Sequence, residues 1–117
     1  MTKRNISPIA AKLRTHALAY PETKEEFPWG ESAFKVKGKT FVFMRADPSD
    51  FSFSVKLPRS RARALSLPHS EPTHYGLRSK GWVTLRPTAK TSLKVLFSLV
   101  DESYRAIAPK RVLAQLD

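Results

Sequence analysis

The chain has 117 residues, 41% of them hydrophobic and 10% aromatic, and its 21 Lys and Arg against 10 Asp and Glu give a formal net charge of +11. This length and composition suit one domain with one core, residues 1–117, and argue against wholesale disorder. With no cysteine there is no disulfide frame, no thiolate nucleophile and no thiolate metal site, and no apolar run approaches the about 18 residues of a membrane span.

The basic start, with Lys12, Arg14 and His16 breaking Ile6 to Ala19, is not a signal-peptide core, so a cytoplasmic protein is expected. Ser7 and Pro8 mark a helix start, Ile9, Leu13, His16/Ala17 and Tyr20 recur at helical spacing, and Pro21 ends the element. Thr23-Lys-Glu-Glu26 has capping-box spacing and predicts one short helical turn. Phe27-Pro28-Trp29-Gly30 reads as a rigid turn carrying a large aromatic.

Strands come next. Phe34 and Val36 alternate with Lys35 and Lys37, Gly38 permits a tight turn, and Thr40 to Ala46 is apolar on both faces, the mark of a central strand. A two-residue loop at Lys37-Gly38 places Phe34 opposite Phe41, whereas a three-residue loop shifts that register. Asp47-Pro48-Ser49-Asp50 is a turn signal, and Phe51, Phe53 and Val55 alternate with Ser52, Ser54 and Lys56. Arg59 to Leu67 is helix-prone between Pro58 and Pro68. Residues 68–81 read as a loop with a short strand near Thr73-His74-Tyr75, and Trp82 to Arg86 is a strand.

The last helix shows an apolar stripe of Leu93, Leu96, Phe97, Val100, Tyr104 and Ile107, broken by Pro109, with further turns over Lys110 to Leu116. The order α-β-β-β-α-β-β-α predicts an α+β domain built on an antiparallel sheet packed against N- and C-terminal helices.

The strings Phe27-Pro28-Trp29-Gly30, Phe34-Lys35-Val36-Lys37-Gly38-Lys39, Val55-Lys56-Leu57, Gly81-Trp82-Val83 and Glu102-Ser103-Tyr104-Arg105 resemble those of the YjbR/MmcQ family, in order, from about Tyr20 to Ala114. The resemblance implies a compact fold likened to CyaY and to secretion chaperones, and a DNA-binding role. The matched positions are Trp29, Lys35, Lys37, Gly38, Lys39, Lys56, Gly81 and Trp82. It carries over no catalytic residue. The likeness to CyaY raises iron binding, but that chemistry wants a ridge of carboxylates, which a chain at +11 lacks.

The charge is uneven: residues 51–90 hold eight Lys and Arg and one acid, a local net of +7. Such a segment attracts anions, although charge also serves solubility. Lys35, Lys37, Lys39 and Lys56 are candidate phosphate contacts, with Lys35 and Lys37 expected on one strand face; the alternative is a solvated strand. Arg59, Arg61 and Arg63 suit bidentate phosphate contacts, with Arg59 and Arg63 on one helix face and Arg61 elsewhere, or else line a solvated helix. Arg78 and Lys80 lie in a glycine-bearing loop that lacks the ending of a P-loop.

Trp29 and Trp82 flank these stretches, either as stacking surfaces for bases or as core residues. His16, His69 and His74 lack metal-ligand spacing, and no Ser, His and acid form a recognisable triad. The expectation is a monomeric, non-enzymatic module without metal or cofactor that binds nucleic acid, DNA in particular. A protein-interaction or chaperone-like module is the alternative.

Overall fold

The first helix forms where the sequence places it. In the computed structural model, which describes residues 8–27, 31–47, 51–73, 81–88 and 90–116, α1 spans Pro8–Leu18 and buries Ala10, Leu13 and Ala17. Strands β1 (Thr23–Glu26), β2 (Ser32–Val36), β3 (Lys39–Arg45) and β4 (Ser52–Lys56) follow. Then come α2 (Arg61–Leu65), β5 (Ser70–Pro72), β6 (Trp82–Leu85), α3 (Leu93–Ile107), α4 (Lys110–Leu113) and a closing 3-10 turn at Ala114–Leu116. The strands form an antiparallel sheet in the order β1-β2-β3-β4-β6-β5. The α+β domain is as expected, with one strand more than the sequence pattern shows. The Ser7 cap, the Pro28-Trp29-Gly30 turn, the Pro48-Ser49-Asp50 part of the next turn, and His74 and Tyr75 lie outside the described residues.

The additional strand is β1. Thr23-Lys-Glu-Glu26 is not a helical turn; it pairs along β2, with Thr23 opposite Val36 and Glu26 opposite Ala33. No apolar helical run follows the capping-box spacing, and Phe27, preceding Pro28, is disfavoured in a helix. The free edge of β2 offers ladder hydrogen bonds instead, and burial along β1 alternates with a period of two. Of the short strand expected near Thr73 to Tyr75, only Thr73 is described, and it follows directly on β5 at Ser70–Pro72.

Strands β2 and β3 are joined by the two-residue turn Lys37-Gly38, with φ of 50° and 79°, as a type I′ hairpin requires. Yet Phe34 lies opposite Val42 rather than Phe41, because the register slips between Phe34 and Lys35 and Phe41 becomes an extra, bulged residue. Both Phe41 and Val42 are buried in the same core.

That core lies on one face of the sheet. Phe34, Val42, Val55 and Val83 are opposite one another across four strands, with Met44, Phe53 and Leu85 one step along. Helices cover them through Ala10, Leu13 and Ala17 of α1, Ala64 of α2, Leu96, Leu99, Val100 and Tyr104 of α3, and Val112 of α4. The opposite face carries Lys35, Phe43, Ser54, Lys56, Trp82 and Thr84, which alternate with the core residues. There Ser54, Thr84 and Thr73 join hydroxyls across β4, β6 and β5 at 2.8 and 2.9 Å. Among the described residues no helix is long and apolar enough to cross a membrane.

Candidate nucleic-acid interface

Antiparallel pairing gathers basic residues at one end of the sheet. The β2–β3 turn places Lys37 and Lys39 there; Lys56, the last residue of β4, lies opposite Trp82, the first of β6; and Arg59 follows as the chain leaves β4 for α2. The C-terminal half of α3 braces this end. Ser103 Oγ donates to the Phe41 carbonyl at 2.6 Å and accepts the Lys56 N–H at 2.9 Å, bridging β3 to β4 beside the bulge. Glu102 Oε2 accepts the N–H groups of Arg59 and Ser60 at 2.8 and 3.0 Å, fixing the entry to α2. Tyr104 stacks on Tyr20 and donates its hydroxyl to the Pro21 carbonyl at 2.8 Å. Glu102, Ser103 and Tyr104 are therefore a clamp that holds the basic end in shape.

Electrostatics follows the same division. Lys37 Nζ pairs with Glu22 at 2.6 Å and Lys35 Nζ with Glu26 at 2.8 Å. Lys39, Lys56, Arg61 and Arg63 make no ion pair among the described residues, and Arg59 attracts the Glu102 carboxylate without closing a salt bridge. At the opposite end of the sheet Arg45 pairs with Glu31 at 2.9 Å and Arg86 with Glu71 at 2.7 Å. Burial works to raise the Glu102 pKa, but the bonds from the Ser60 hydroxyl and from the two backbone N–H groups outweigh it and hold the carboxyl below its usual range.

Several expected placements change. Lys35 and Lys37 do not share a strand face: Lys35 lies on the sheet face opposite the core, whereas Lys37 occupies the turn in a left-handed conformation. Arg59 and Arg63 do not share a helix face, because α2 begins only at Arg61 and Arg59 precedes it; Arg59, Arg61 and Arg63 are all exposed. Trp82 is not a stacking surface. It is only 5% exposed and packs against Phe43 with ring centroids 5.5 Å apart, so neither ring face is open to a base. Trp29, Arg78 and Lys80 lie outside the described residues.

The sequence reading overlooked Arg111 and Gln115, which α4 and the following turn bring to the same end. Gln115 Nε2 donates to Glu22 Oε2 at 2.7 Å, and Arg111 acts on the same carboxylate. A dibasic Lys110-Arg111 pair just after the helix-breaking Pro109 is the signal that marks them. His16 is a structural tie: it stacks on Phe97 with centroids 4.1 Å apart, and its Nε2 meets the Tyr20 hydroxyl, which donates to Asp101. Among the described residues no group of three or more His, Asp or Glu is placed to hold a metal.

The fold recurs in solved structures. A Deinococcus radiodurans protein with a DUF419 domain matches with a TM-score of 0.74 at 22% identity, over 91% of this chain and 81% of its own. A Pseudomonas syringae protein matches with a TM-score of 0.66 at 17% identity, over 82% of this chain and 96% of its own. No curated protein matches the chain. The family model YjbR matches residues 18–106, which takes in every strand of the sheet and nearly all of α3; the chain belongs to the YjbR family.

Proposed function

We propose that this protein is a non-enzymatic module that binds nucleic acid, DNA in particular, through the basic end of its sheet. One observation carries the reading: among the described residues Lys39 and Lys56 make no ion pair on a braced framework, with Arg61 and Arg63 likewise unpaired on α2, whereas Arg45 and Arg86 at the opposite end are matched to acids. Lysines of this kind serve as point-charge contacts to phosphates, and arginines add bidentate ones. Lysine and arginine side chains contact phosphates irrespective of base identity, so sequence-tolerant backbone contact is the mode this reading takes. A monomer acting in the cytoplasm is the setting we adopt.

The protein-interaction alternative loses an anchor with the burial of Trp82; among the described residues Phe27 alone is a large, exposed apolar side chain. The direct test is fluorescence anisotropy with a short labelled DNA duplex at low and at physiological salt. A surface neutralising about five phosphates gives a log–log salt slope of roughly −4.5. Absence of binding at micromolar protein in low salt overturns the reading.

A further inference from the structure

Glu22 is an acid set into the basic end under constraint. Its φ of 56° lies in the left-handed region that non-glycine residues seldom occupy. Both carboxylate oxygens are taken by donors distant in sequence: Oε1 by Lys37 Nζ at 2.6 Å, Oε2 by Gln115 Nε2 at 2.7 Å. Lys37 is itself held at a φ of 50°, so both sides of the contact are presented by turns of defined shape. The bonds from Lys37 and then Gln115, with the charges of Lys37 and Arg111, keep the carboxyl below its usual range.

A carboxylate and a phosphodiester make the same demand on their surroundings: one negative charge shared over two oxygens that accept hydrogen bonds. We propose that Lys37, Arg111 and Gln115 form a phosphate subsite whose occupant in the free protein is the chain's own Glu22, displaced when a nucleic-acid backbone arrives. This rests on the nucleic-acid reading above. An exposed ion pair is weakly held and exchanges readily, so the internal carboxylate competes with the ligand without locking it out.

The test compares Glu22→Gln with Glu31→Gln in anisotropy titrations of a labelled DNA duplex over a range of salt. Both remove one negative charge, but Glu31 pairs with Arg45 at the opposite end of the sheet. Glu22→Gln is expected to bind at least about threefold more tightly than Glu31→Gln, with a salt slope steeper by about one. Arg111→Gln in the Glu22→Gln background should abolish that gain. Should Glu22→Gln lower the melting temperature enough to blur the comparison, Arg111→Gln in the natural chain reads the same subsite, and it should weaken binding more than Lys94→Gln. Equal effects within these pairs overturn the subsite and leave the nucleic-acid reading standing. No binding by the natural chain or by any variant overturns both.

Discussion

The hydroxyl of Ser103 donates to the carbonyl of Phe41 across 2.6 Å, joining the fully buried face of α3 to the one residue that the β2–β3 register leaves over. The same oxygen receives the Lys56 N–H, so one side chain bonds a backbone group on each of two neighbouring strands. Ser103→Ala removes both bonds from a buried site, and a loss of about 1–3 kcal/mol is expected in urea unfolding. A loss below about 0.5 kcal/mol would show that β3 and β4 close the gap themselves.

Glu102 should contribute stability that depends on pH. Its carboxyl lies below the ordinary value of 4.5 in the folded chain. Its contribution is therefore present above that value and is lost as pH falls through the lower folded value. Because the group is only half-buried and solvent screens part of its interactions, Glu102→Gln should cost only about 1 kcal/mol at neutral pH. Denaturant midpoints of the two chains should converge in acid; a difference that does not vary with pH contradicts the assignment.

His16 behaves in the opposite chemical sense with the same direction in pH. Burial lowers its pKa below 6.5, the nearby Asp101 opposes this, and the Tyr20 hydroxyl stands between the His16 ring and the Asp101 carboxylate. The unfolded chain therefore binds the proton more readily. Stability should fall as pH drops through 6.5 towards the folded value and level off below it. An NMR titration of the His16 ring should give a midpoint under 6.5; one above it would mean that Asp101 prevails.

Gly38 tests the turn. It has a φ of 79° and open space where a Cβ would be, so Gly38→Ala meets no neighbour and costs conformation alone. About 1–2 kcal/mol is expected in thermal or chemical unfolding, from the left-handed backbone of an L-residue. An unchanged midpoint would mean that the hairpin relaxes to another turn.

Much of the fold was legible because it obeys local rules. The stripe of α3 and the Lys37-Gly38 turn follow from periodicity and backbone permissiveness, and both stand as expected. What was hidden depends on partners distant in sequence. Strand β1 is too charged to declare itself and exists because β2 offers an edge. The slip at Phe41 is stabilised by Ser103, sixty-two residues on. Trp82 reads as either a stacking surface or a core residue, and its packing against Phe43 buries it on the sheet face opposite the main core. Of the basic residues, the run that raises the charge of residues 51–90 is visible in the sequence. The meeting of two of its members, Lys56 and Arg59, with Lys37, Lys39 and Arg111 at one sheet end is a consequence of strand order.

The measurement that bears most directly on the central claim is a comparison of two charge reversals in DNA binding. Lys39→Glu with Lys56→Glu alters the basic end. Lys90→Glu with Lys94→Glu makes the same change in net charge near the opposite end, around the start of α3, where both lysines are exposed. The account predicts that the first pair weakens binding at least about tenfold and flattens the salt slope by about two, while the second has a much smaller effect. Equal losses from both pairs would contradict it, because the charge would then be acting as a property of the whole molecule and not of this surface.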